Sequence, residues 1–131
     1  MTRPRMHRPM AAAAICLGVL ALAAGCSDGS SFADLEREPS ADDALPMPES
    51  GLDGVDLGSV RYVGDHEGTE VWVARAADFR QDICLALMPS DGAWSVACGG
   101  VWLKTNGFVV QADGALADDD WVRVSHNVWA Y

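Results

Sequence analysis

The span from Cys84 to Cys98 constrains this 131-residue chain more than any other stretch. "ICLALM" (83–88) and "AWSVAC" (93–98) flank the turn-forming "PSDG", the pattern of a β-hairpin. A hairpin centred on Asp91 pairs 88 with 94, 86 with 96 and 84 with 98. The two cysteines then stand opposite each other, near the ~5.5 Å Cα separation a disulfide prefers. In this register Ala86, Met88, Trp94 and Val96 share one face, and Ile83, Leu85 and Leu87 share the other with Ser95 and Ala97. Apolar residues on both faces predict a central strand covered on both sides. A redox pair would be spaced Cys-x-x-Cys, and a zinc site would need further ligands close by. Neither pattern is present, so a structural Cys84–Cys98 bridge is the expectation. Its contribution matters: the 73 residues from Ser59 to Tyr131 make a marginal core. Closing a loop of about 15 residues stabilises by ~3 kcal/mol.

The rest of 59–131 is also β-rich. "SVRYVGD" and "TEVWVARA" flank "HEG" as a second hairpin, and "FVVQA" and "WVRVSHNVWAY" supply one or two further strands each side of "DGALADDD". "GVWLKT" before Asn106-Gly107 reads equally as a strand ending in a turn or as one helical turn. No run has the length or 3.6-residue period of a substantial amphipathic helix. The expected fold is mainly β, a small antiparallel sheet or meander with one hairpin disulfide and at most a short helix.

Ahead of this domain the composition divides the chain at 1–25, 26–58 and 59–131. Arg3, Arg5, His7 and Arg8 form a basic start, followed by the uncharged run Ala11–Ala24. Its fourteen residues suit the apolar region of a signal peptide and fall short of the ~20 that span a bilayer. "LALAAGC" (20–26) resembles a bacterial lipobox, with Leu22 one place earlier than in the commonest form. That resemblance implies removal of 1–25 and a diacylglyceryl group on the Cys26 thiol. The competing reading is an ordinary secretory signal cut near Ala23, leaving Cys26 a free thiol, a liability in an oxidising compartment. Two acyl chains would hold the protein firmly to the outer face of the cell membrane, at ~0.8 kcal/mol per buried CH₂.

All nineteen acids lie beyond Cys26. Without 1–25, six Lys/Arg remain against nineteen Asp/Glu, a net charge of 6 − 19 = −13. So acidic a chain repels nucleic acid and anionic lipid headgroups, and neither is expected as a polyanionic partner. Residues 27–58 are rich in Ser, Asp, Glu, Pro and Gly, with Pro39, Pro46 and Pro48 against helix, and read as a flexible acidic tether. Thirty-two residues of coil would hold the domain on the order of 30 Å from the bilayer. Within it, "SFADLERE" could form a short helix capped by Ser31, with Phe32, Leu35 and Leu45 packing on the domain.

No motif commits the chain to a reaction. His66 and His126 are isolated, with no ligand spacing for a metal. Asp118–Asp120 lacks the alternating ligands and glycine of a calcium loop. Ser95 and Ser125 lie outside Gly-x-Ser-x-Gly and have no assignable His-Asp partners. No catalytic residue, metal ligand or cofactor is therefore assigned. Five tryptophans remain. Large rings fill a small core well, but Trp also anchors interfaces, so Trp72, Trp102, Trp121 and Trp129 are the candidate partner-binding residues.

Taken together, "LALAAGC", "LEREPSADDALP", "SVRYVGDHEGTEVWVAR", "ICLAL…WSVACG" and the ending "WVRVSHNVWAY" resemble small lipobox-bearing lipoproteins of high-GC Gram-positive bacteria. Most of that group have no known function. The resemblance implies location and fold and carries no catalytic residues. The expected function is a membrane-anchored extracytoplasmic binding module for an envelope protein or a small ligand. The alternative is a small extracytoplasmic hydrolase or other enzyme built from residues such as His66, Ser95 and His126.

Overall fold

The computed structural model describes residues 30–131. Residues 1–25, expected to be a signal segment, and Cys26, the expected lipidation site, lie outside the described residues. Among the described residues, eight strands form two antiparallel sheets. The first holds β1 (Arg61–His66), β2 (Thr69–Arg75), β3 (Ile83–Met88) and β4 (Ser95–Gly99) in sequence order. The second holds β5 (Trp102–Thr105), β6 (Phe108–Gln111), β7 (Val122–Arg123) and β8 (Val128–Ala130) in the order β5-β6-β8-β7. The mainly β fold is as expected, but the strands divide between two sheets instead of forming one. Among the described residues no helix is long and apolar enough to cross a membrane.

Turn chemistry explains two of the hairpins. Glu67 and Gly68 have φ of 47° and 81°, and Asn106 and Gly107 have 48° and 84°. Two consecutive positive φ values are the signature of a type I′ turn, whose twist matches that of the flanking strands. The Asn106-Gly107 turn settles 102–105 as strand: Thr105 pairs with Phe108 and Trp102 with Gln111. In the β3–β4 hairpin, Cys84 lies opposite Cys98 and Ala86 opposite Val96, the register inferred from the cysteine spacing. The disulfide is formed, with Cα atoms 4.0 Å apart.

Alternation along the strands makes two cores. Val71, Val73, Ile83, Leu85 and Leu87 of the first sheet face Phe108, Val110, Val128 and Ala130 of the second. Phe32 and Leu35 close this layer from the amino-terminal side. On the opposite face of the first sheet, Trp72, Ala74, Cys84 and Ala86 pack under Met47, Leu52, Val55 and Val60. Both faces of β3 are thus covered, as its apolar run predicts.

The covering of that outer face corrects the reading of 27–58 as a flexible tether. From Phe32 onward the segment is a strap laid over the sheet in short helical turns: α1 (Ala33–Glu36) and three single 3-10 turns at Ala41–Asp43, Glu49–Gly51 and Leu57–Ser59. Its few apolar side chains are spaced to reach the sheet. Phe32 and Leu52 are 1% and 3% exposed. The helix at "SFADLERE" forms, and Leu45 packs at the edge of the outer core. Ser31 does not cap it; the N-cap position is Phe32.

Strand directions give the molecule two distinct ends. At one, which we term the turn end, lie the Glu67-Gly68 and Asn106-Gly107 turns, the β3–β4 turn and Tyr131. At the other, the loop end, lie the 76–82, 100–101 and 124–127 connections, the start of the 112–121 loop, and Ser31, whose carbonyl accepts from Asp113 N at 2.9 Å.

Candidate binding surface

The second sheet turns Phe108, Val110, Val128 and Ala130 inward, so Val109, Gln111 and Trp129 point to its outer face. Cross-strand pairing places Lys104 beside Val109, Trp102 beside Gln111, and Arg123 beside Trp129. Three of the four candidate tryptophans therefore gather here. Trp102 is 54% exposed, Trp121 is half-buried, and Trp129 lies beneath the Arg123 guanidinium, 5.6 Å from its ring centre. Lys104 is the only lysine in the chain. Its ammonium stands 3.9 Å over the Tyr131 ring and 5.7 Å from that of Trp121, which lie 6.4 Å apart. Cation–π contacts of this kind hold both rings and cations in fixed positions. Gln111 adds a buried Oε1 with no hydrogen-bond partner among the described residues.

Trp72 is placed elsewhere. It is 4% exposed, tilted against Tyr62 at 5.3 Å and covered by the strap, so it has no area to offer a partner and leaves the candidate set. Trp129 is itself 8% exposed and contributes to this surface chiefly as the floor under Arg123. The faces accessible to solvent are those of Trp102, Trp121 and Tyr131.

The hydroxyl and imidazole candidates are not brought together. His66 stands edge-on to Phe108, 6.2 Å away, in a concavity of about 220 Å³ shared with Thr69, Asn106 and Tyr131. Ser95 accepts from Asn106 Nδ2 at 3.1 Å. Ser125 donates its proton to Asp34 Oδ2 at 2.6 Å, and His126 Nε2 lies 3.2 Å from Asp113 Oδ1. A serine whose proton rests on one carboxylate while the histidine faces another is not arranged for attack. Among the described residues no three His, Cys, Asp or Glu side chains are grouped to hold a metal ion.

These polar groups instead fasten the strap. Asp113 Oδ1 accepts from Ala33 N at 3.0 Å and from Asn127 Nδ2 at 2.8 Å. Burial alone would raise the Asp113 carboxyl, but the bonds from Ala33, Asn127 and Ser31 and the nearby His126 outweigh it and hold it below its ordinary value. At the strap's next turn, Arg37 donates to both oxygens of Asp43, whose carboxylate also accepts from Ser40 N and Tyr62 N, each at 2.7 Å. The Arg37 hydrogen bond is the main reason the Asp43 carboxyl sits far below the usual range, against the opposing effect of its burial. Sequence reasoning missed Arg37, Asp43 and Asn127. The spacing of Ser40 and Asp43 in "SADD", a capping box in the structure, was the one local sign.

No protein-family model, curated protein or solved structure matches the chain.

Proposed function

We propose that this protein is a membrane-anchored extracytoplasmic lipoprotein whose β domain is a non-enzymatic binding module, and that it engages its partner through the outer face of the second sheet. The observation that carries the reading is the grouping of Trp102, Trp121 and Tyr131 with Lys104 and Arg123 on one sheet face. Rigid aromatic side chains lose little entropy on contact and dominate interface energetics, and cations between them add polar specificity. The scatter of His66, Ser95, Ser125 and His126 over separate hydrogen-bonded settings supports binding over hydrolysis.

Crosslinking the intact lipoprotein in its own membrane tests this. Trp102→Ala combined with Tyr131→Ala should abolish the crosslinked product and leave circular dichroism and the melting curve unchanged. A product of unchanged yield would reject the face. Turnover of a hydrolase substrate panel, lost on changing His66, Ser95 or His126, would replace the whole reading. Anchoring is tested separately: Cys26→Ala should leave the precursor unprocessed or shift it out of the detergent phase. Identical partitioning of mutant and parent, with no acyl mass on either, would remove the anchor.

A further inference from the structure

We infer that the loop end of the domain lies against the bilayer, with Phe79 and Val101 touching the lipid interface. The inference rests on Cys26 being the lipidated residue. Only 27–31 separate Cys26 from Phe32, which is 1% exposed in the inter-sheet core. At ~3.3–3.6 Å per residue those six steps reach at most about 20 Å. The Ser31 carbonyl is fastened to Asp113 N at the loop end, so the chain enters the domain there. The distance between membrane and domain is thus set by this short link, not by the 32 residues that composition suggests.

The exposed apolar side chains follow the same polarity. Phe79 (70%) lies in the 76–82 connection and Val101 (46%) at the β4–β5 link. Arg75, Arg80 and Arg123 accompany them, with Arg75 donating to the Arg80 carbonyl and Arg123 to those of Ser125 and His126. The acids Asp34, Asp53, Asp56, Asp78, Asp82 and Asp113 also lie toward this end and outnumber its arginines. The turn end is more acidic still: Asp65, Glu67, Glu70, Asp91 and Asp118–Asp120 stand there, with Lys104 the nearest cation. Trp, Phe and Leu favour the bilayer interface, where arginines meet lipid phosphates, while a concentration of carboxylates is driven from an anionic surface. The chain's entry point, the exposed apolar side chains and the lower net negative charge of the loop end therefore favour one orientation.

Spin labels on the full-length lipidated protein in phosphatidylcholine–phosphatidylglycerol vesicles test it. Phe79→Cys and Val101→Cys probe the loop end, and Ser90→Cys and Asp119→Cys the turn end; all four positions are exposed. On vesicles, labels at 79 and 101 should lose accessibility to a water-soluble nickel chelate and gain it to oxygen, while those at 90 and 119 stay unchanged. Equal accessibility at all four, on protein that carries acyl mass and floats with the vesicles, overturns the orientation and leaves the anchor intact. Protein without acyl mass that fails to float overturns the anchor and this inference with it.

Discussion

Asp34 and Asn127, ninety-three residues apart, hydrogen-bond each other in both directions. Asp34 N donates to Asn127 Oδ1 at 3.0 Å, and Asn127 N donates to Asp34 Oδ2 at 2.8 Å. Asn127 is 1% exposed and gives its two amide protons to the Gln111 carbonyl and to Asp113. One side chain thus joins α1, β6 and the approach to β8. Asn127→Ala leaves buried donors and acceptors unpaired and should destabilise the domain by about 2–3 kcal/mol. Urea denaturation measures the loss. His126→Ala next door, at an exposed side chain, should stay within ~0.5 kcal/mol.

Acid should loosen the strap. The Asp43 and Asp113 carboxyls are both held below their ordinary value in the folded protein. Their stabilisation is therefore complete above the unfolded carboxyl pKa of ~3.9 and is lost as pH falls toward the folded values. Asp43→Asn should cost about 1.5–3 kcal/mol at neutral pH, and the gap from the parent should narrow below about pH 4. Parallel denaturation curves from pH 7 to 2 give the comparison. A gap that widens on acidification would contradict the ion pair as its cause.

Loss of the disulfide should be felt across the domain, because Cys84 sits inside the outer core beneath the strap. The Gly54 carbonyl approaches its Sγ at 3.8 Å, a packing contact, since a disulfide sulfur has no proton to donate. Cys84→Ala with Cys98→Ala should cost ~2–5 kcal/mol. Mass mapping without reductant should recover 84 and 98 in one linked peptide. Free thiols at both positions in protein exported under oxidising conditions would count against the bridge.

A single methyl group can test the strap's seat. A Cβ placed on Gly51 would come within 2.3 Å of the Trp94 ring carbon Cη2. Gly51→Ala must displace either the ring or the 3-10 turn at Glu49–Gly51, at about 1–3 kcal/mol. Gly54→Ala meets nothing within 4 Å and serves as the control. Trp94 fluorescence should shift in the first variant and not in the second.

How far these features were legible depends on whether local chemistry or distant cover decides them. The β3–β4 register followed from two cysteines and a turn, because both lie within one hairpin and period-2 alternation does the rest. Phe32 and Leu35 were legible through the short helix, but the rest of the strap was hidden because Met47, Leu52, Val55 and Val60 follow no period. Each reaches the sheet from its own short turn or bend, inside a composition that otherwise resembles disorder. The tryptophans divided for a related reason. Trp72 and Trp102 both lie on β-strands, and only the strap's path over the first sheet buries one and leaves the other exposed. Nothing near either residue in the chain encodes that path.

The reciprocal bond between Asp34 and Asn127 also sets a schedule. A chain made or moved amino end first delivers the strap long before β8, yet β8 lies between β6 and β7 and closes the second sheet. Until the last residues arrive, Phe32 lacks one wall of its core and Asp34 lacks its partners. The domain therefore cannot mature as it emerges, and the earliest-emerging part of the domain is among the last to be secured.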